Sequence, residues 1–204
     1  MKTRFIIATL LALVCVPGIG HAADPRYPDW PCVQAKVPEV SLAAVWAGPD
    51  LGDATDKWKE DMAVSALVER LAARRTPLDE AEKALNEFLA GAGDRKLDKG
   101  RRLFAGLFET LNAQRSSVLN GLERVTRKQR GAADAIRAAT LSMHSLQDQA
   151  SPDPAKIEQL SNQLLWQTRI FEDRQRVIKF VCEVPVAIDQ RLFALGRAIQ
   201  QAME

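Results

Sequence analysis

From Phe104 to Leu146 the chain keeps an alternating four-three spacing, through Phe108, Leu111, Arg115, Val118, Leu122, Val125, Gln129, Ala132, Ile136 and Met143. After a short break the same beat runs from Ile157 to Ile199, through Leu160, Leu164, Gln167, Phe171, Arg174, Ile178, Val181, Pro185, Ile188, Leu192 and Leu195. Side chains so spaced share one stripe of a helix, and two facing stripes bury each other as a coiled coil. The intervening Ser151-Pro152-Asp153-Pro154 reads as a turn. This pattern specifies an architecture, a long antiparallel coiled-coil hairpin with helices over about 94–149 and 154–203. It does not by itself specify a chemistry.

The first 22 residues read as a sorting signal. Lys2 and Arg4 precede an apolar run from Phe5 to Val16, Pro17 and Gly18 break it, and Gly20-His21-Ala22 offers small residues where a signal peptidase cuts. The run is too short for a membrane span of about 20 residues. Cleavage after Ala22 is expected, with a periplasmic mature chain. The segment carries two of the 28 basic residues and none of the 26 acids, so the mature chain holds 26 of each and no net charge. Nucleic acid is therefore not an expected partner.

Export would also remove Cys15 and leave Cys32 and Cys182 in an oxidising compartment. A disulfide between them closes a loop of about 150 residues, worth about 5 kcal/mol in the chain-entropy model. One histidine, His144, remains beyond the signal, so no metal site is recognisable.

Residues 23–56 form a Pro-rich extended arm, because Pro25, Pro28, Pro31, Pro38 and Pro49 forbid sustained helix. Its apolar content, Tyr27, Trp30, Val33, Val37, Val40, Leu42, Val45 and Trp46, demands burial, and Ser41 is placed to cap a short helical turn. The helical domain occupies 57–204. A first helix is expected from Asp56 to about Arg74, burying Trp58, Met62, Val64, Leu67, Val68 and Leu71. A second starts with Thr76 as N-cap and Pro77 at its first position, buries Leu78, Ala81, Leu85, Phe88 and Leu89, and stops at Gly91. These two are too short to cover a hairpin of about 75 Å. They are expected on its open end, near 100–118 and 185–202, in an extended form not broken at Gly121, Gly131 or Pro185.

Four constellations stand out. Folding the hairpin about residue 151 pairs positions whose numbers add to about 303, which places Gln129 beside Arg174 as a polar layer that sets register. The same register sets Cys182 opposite Gly121, a gap, with Pro185 bending the helix nearby. The arm is expected to dock there, stapled through Cys32, with Trp30 filling space beside Gly121. A groove lined by Trp30, Trp46 and Arg115 is the ligand-binding version of the same idea. Arg124, Arg127, Lys128 and Arg130 form a basic run, expected to be balanced by Glu172 and Asp173 or to meet an anionic membrane surface. Leu103, Leu107 and Leu119 form a second apolar flank through which two hairpins could associate.

No Gly-x-Ser-x-Gly elbow, His-Glu-x-x-His, phosphate loop or Cys-x-x-Cys-His occurs, so no catalytic residue, cofactor or enzymatic activity is expected. The opening Tyr27-Pro28-Asp29-Trp30-Pro31-Cys32-Val33-Gln34, followed by Lys36-Val37-Pro38-Glu39 and Val45-Trp46-Ala47-Gly48-Pro49, resembles a family of exported proteobacterial helical proteins that share a Trp-Pro-Cys opening and have no established activity. Leu103-Phe104-Ala105-Gly106-Leu107-Phe108 is similar too. The resemblance implies export and a helical fold, and transfers no site residues. The function expected is a periplasmic interaction module, an adaptor or chaperone-like subunit of an envelope complex, with another envelope protein or a second copy as partner. The alternative is a soluble small-ligand-binding protein with a pocket between arm and helical base.

Overall fold

The computed structural model describes residues 24–204, so the expected signal segment lies outside the described residues. Among the described residues every regular element is helical. The arm is irregular up to Ser41 and then carries two single turns, α1 (Leu42–Val45) and α2 (Ala54–Lys57). It buries Val45 and Trp46 but leaves Val33, Val37 and Leu42 exposed, because an extended segment laid on a helix pair turns part of its side chains outward. The Ser41 hydroxyl does not cap α1; the Ser41 carbonyl closes the turn by accepting from the Ala44 amide at 3.1 Å.

The helix expected to run unbroken from Asp56 is interrupted. A 3-10 turn over Trp58–Glu60 follows α2, and α3 (Met62–Ala72) starts afresh at Asp61. The Asp61 carboxylate accepts from the amides of Ala63 and Val64, each at 3.2 Å, and so satisfies the open donors of a new helix. The restart turns Met62 to solvent, where it is 85% exposed, instead of burying it. Helix α4 (Leu78–Ala90) begins just after Pro77, but Thr76 does not cap it. The Thr76 hydroxyl donates back to the Arg70 carbonyl at 3.1 Å and closes the end of α3. Leu78 is exposed and Phe88 only half-buried, while Ala84 joins Ala81, Leu85 and Leu89 inside. Gly91 keeps right-handed backbone; Gly93, at φ +54°, makes the left-handed turn into α5.

Helix α5 (Lys96–Gln147) has 52 residues and passes through Gly121 and Gly131 without a break, a length of about 78 Å. The turn ends on Asp153, which accepts from the amides of Ala155 and Lys156 and caps α6 (Pro154–Val181). The returning limb keeps a helical path along its length, as expected: between α6 and α7 (Glu183–Met203) only Cys182 steps out of the ladder, and its backbone stays right-handed helical at φ -59° and ψ -26°. Pro185 explains its place. Proline has no amide hydrogen for the Val181 carbonyl and its ring crowds that carbonyl, but it fits the first turn of a new helix.

The two limbs run antiparallel, in the register expected. Gly100 lies against Met203, Arg115 against Asp189, and Gln129 against Phe171. Helix α3 lies on α5 and α4 on α7, which makes a four-helix base at the open end of the hairpin. Its core joins Val64, Val68, Leu71, Leu85 and Leu89 to Leu103, Phe104, Leu107, Leu111, Ile188, Leu192, Leu195 and Ile199. Glycine sets the closest approaches. A β-carbon at Gly106 would stand 2.7 Å from both the Trp58 ring and a Val68 methyl, and one at Gly196 would stand 2.9 Å from the Phe104 ring and 3.0 Å from the Val45 carbonyl. Leu103, Leu107 and Leu119 are all buried within the chain, so the flank expected to join two hairpins is already covered.

Candidate functional site

The arm closes onto the hairpin where α6 gives way to α7. Cys32 and Cys182 form a disulfide with their Cα atoms 5.6 Å apart. Trp30 Nε1 donates to the Gln34 carbonyl at 2.7 Å, and Gln34 Nε2 donates to the Cys182 carbonyl at 2.6 Å. A backbone carbonyl has two lone pairs, so it can take this amide as well as a donor from its own helix. Lys36 pairs with Glu123, and Asp29 pairs with both Arg127 (2.7 Å) and Arg130. The balancing acid for the basic run therefore comes from the arm. Asp173, expected in that role, pairs instead with Arg176 on its own helix.

These contacts lie on one flank of α5. At about 100° per residue, Glu123, Arg127 and Arg130 share a direction, whereas Gly121, Val125 and Lys128 point roughly opposite and Arg124 about a quarter-turn away. Trp30 consequently does not fill the space beside Gly121. It packs near Leu122, Ile178 and Cys182 from the other side. The basic run is thus split, two arginines tied to the arm and Arg124 and Lys128 left without an ion-pair partner among the described residues.

Trp46 and Arg115 are likewise not cavity residues. Trp46 is buried in the base, stacked on Phe104 with ring centroids 4.0 Å apart, and its indole donates to the Pro49 carbonyl at 2.8 Å. Arg115 is buried on the stripe, donating to Asp189 at 2.8 Å and to the Pro38 carbonyl at 3.1 Å. Burial pushes the Asp189 carboxyl above its ordinary pKa, and the Arg115 charge only partly offsets this. The arm is thereby pinned at Pro38 as well as at Cys32, and Pro185 is buried beside this seam.

The Gln129 layer has a different partner from the one expected. Gln129 is buried and donates to the Phe171 carbonyl at 3.0 Å, while Arg174 is exposed. A two-helix seam leaves a charged side chain free to swing into water, whereas a neutral amide can stay inside on a backbone acceptor.

The gap at Gly121 is real but open. It forms a trough of about 420 Å³ on the flank away from the arm, with Val118, Leu122, Ile178 and Val181 along its apolar floor. Arg124 and Val125 edge one side, and Asp173, Arg174 and Val177 the other. Arg174 also lines a smaller hollow of about 210 Å³ between Ala132, Ile136, Gln167 and Phe171, so the two follow one another along the same flank. Sequence reasoning located Gly121 and set Val181 against Leu122, but missed Val177 on the facing edge.

Three further anchors went unread. Lys99 is buried against Asp61. Burial pushes the Asp61 carboxyl up, but hydrogen bonds from Lys99 and the Val64 and Ala63 amides outweigh it and hold the pKa below the usual range. Arg191 of α7 donates to the carbonyls of Leu71 (2.6 Å) and Thr76 (3.0 Å), a cation at the C-terminus of α3. Arg101 donates to the Leu51 carbonyl at 2.8 Å. Only the Asp61-Met62-Ala63-Val64 string, an acid before an apolar helical face, carried a local signal.

No group of three or more metal-binding side chains is assembled among the described residues, and no described helix is long and apolar enough to cross a membrane. No family model, curated protein or solved structure matches this chain.

Proposed function

We propose that the protein is an exported, non-enzymatic interaction module that uses its hairpin to engage another protein of the cell envelope. The observation that carries this reading is the unpartnered apolar surface of the hairpin beyond the base. Trp166 is 64% exposed, Val177 59% and Phe180 77%, on the outer side of α6. Outward of Leu122 and Ile178, only Gln129 and Leu164 are buried. A stripe of large apolar side chains along a long, thin element has the composition of a contact surface. The disulfide and the expected signal segment favour the periplasm as the site of action. The arm, a strap locked on one flank, leaves the opposite flank for the partner.

The pocket between arm and base draws less support, because Trp46 and Arg115 are both buried and hydrogen-bonded within the chain. The test is site-specific photo-crosslinking in living cells from probes at Leu141, Leu165, Trp166, Val177 and Phe180, with mass spectrometry of the adducts. One recurrent foreign protein, captured from probes on one side, is the expected result. Adducts to no protein from any of these positions would overturn the interaction reading.

A further inference from the structure

The trough at Gly121 has a shape and a charge that narrow what can occupy it. Its floor is apolar, its length follows the hairpin axis, and the missing side chain of Gly121 leaves a notch of the kind that receives a knob from a facing helix. On its rim stand Arg124 of α5 and Arg174 of α6, neither of them ion-paired among the described residues. The one acid on the rim, Asp173, is engaged by Arg176. An apolar channel between unpaired cations is complementary to an apolar stripe between acids.

We propose that this trough seats an amphipathic helix of a partner protein, as a third helix on the hairpin, with Leu-like anchors every third or fourth residue and Asp or Glu beside them. The inference rests on the interaction reading above and names the surface and the partner's chemistry. A second copy fits less well, since a twofold pairing of this flank sets its cations against their own copies. A small amphiphile fits less well, since the trough is open along its side and ligand pockets bury most of the ligand. A helix brings its own covering surface and also shields Val125 and Val177.

Gly121→Leu is the decisive variant. A β-carbon there meets only the Arg124 guanidinium, at 4.0 Å, and leucine is a better helix former than glycine, so the notch fills without disturbing the fold. Binding of two labelled peptides of about five helical turns to the full disulfide-bonded chain is followed by fluorescence anisotropy. One peptide carries a leucine stripe flanked by glutamate, the other the same stripe flanked by lysine. The glutamate peptide is expected to bind at least about tenfold more tightly, to lose about tenfold on Gly121→Leu, and to lose its advantage over the lysine peptide in Arg124→Glu/Arg174→Glu.

Equal binding of the two peptides, or an unchanged affinity in Gly121→Leu, overturns the proposal. Self-association abolished by Gly121→Leu overturns it in favour of a second copy. Co-sedimentation with phosphatidylglycerol vesicles that Gly121→Leu abolishes overturns it in favour of a lipid surface. The two readings separate cleanly in the crosslinking experiment. A partner captured only from the outer side of α6 at Leu165 and Phe180, and not from Val125, leaves the interaction module standing and removes the trough as its site.

Discussion

Asp61 does two jobs with one carboxylate. It caps α3 through the amides of Ala63 and Val64, and it neutralises the buried Lys99. Its pKa lies below the ordinary value, so the stabilisation is complete above about pH 4 and is lost as pH falls through the lower folded value. Asp189 slopes the other way: its raised pKa makes the folded state the better proton binder, so its contribution grows on acidification and is lost as pH rises through the folded value. Replacing Asp61 with Asn keeps a competent cap and removes the charge partner of Lys99. Thermal melts of the two proteins at several values between about pH 3 and pH 6 should show a shallower acid loss in Asp61→Asn. Parallel curves would assign the acid sensitivity to other carboxylates. None of this was legible in the periodicity, because Asp61 and Lys99 are 38 positions apart and meet only through packing.

The arm and the returning limb belong together. Pro185 removes a hydrogen bond at Val181, and, one residue on, the arm is held at Cys182 by the disulfide and by Gln34 on its carbonyl. The strap is then held in series by Asp29, Cys32, Gln34, Lys36 and Pro38. Cross-linking residues 150 apart lowers the entropy of the unfolded chain by about 5 kcal/mol in the loop-closure model. Cys32→Ser/Cys182→Ser should therefore unfold at clearly lower urea, with a loss approaching that figure and an m-value altered by a less compact denatured state. A midpoint unchanged from the wild type would make the disulfide dispensable and the polar contacts sufficient. Such contacts explain why the arm resists reading from sequence. Its turns depend on what it lies against, and Ser41, a good N-cap by composition, does not spend its hydroxyl on one; Thr76, beyond the arm, likewise closes the end of α3 instead of starting α4.

Taken whole, the molecule is a packed base that carries a two-helix projection. Base helices have partners on several sides, whereas each limb of the projection has one. Native-state hydrogen exchange should report this as a gradient: amides near Leu107 and Leu195 opening only with global unfolding, and those between about 136 and 165 opening at a small fraction of that free energy. Uniform protection along α5 would instead mean that the projection folds cooperatively with the base.

The antiparallel register, the turn at Asp153 and the cysteine pairing were readable from the chain, because helical periodicity and the scarcity of cysteine are properties of linear order. Only the folded structure decided the rest. It set which flank the arm takes, which of the four basic residues meet Asp29, that Arg174 leaves the stripe, and that Gly121 stays open as a trough. Those are choices between the two sides of a helix pair, and a stripe pattern specifies the face that is buried without distinguishing its left edge from its right.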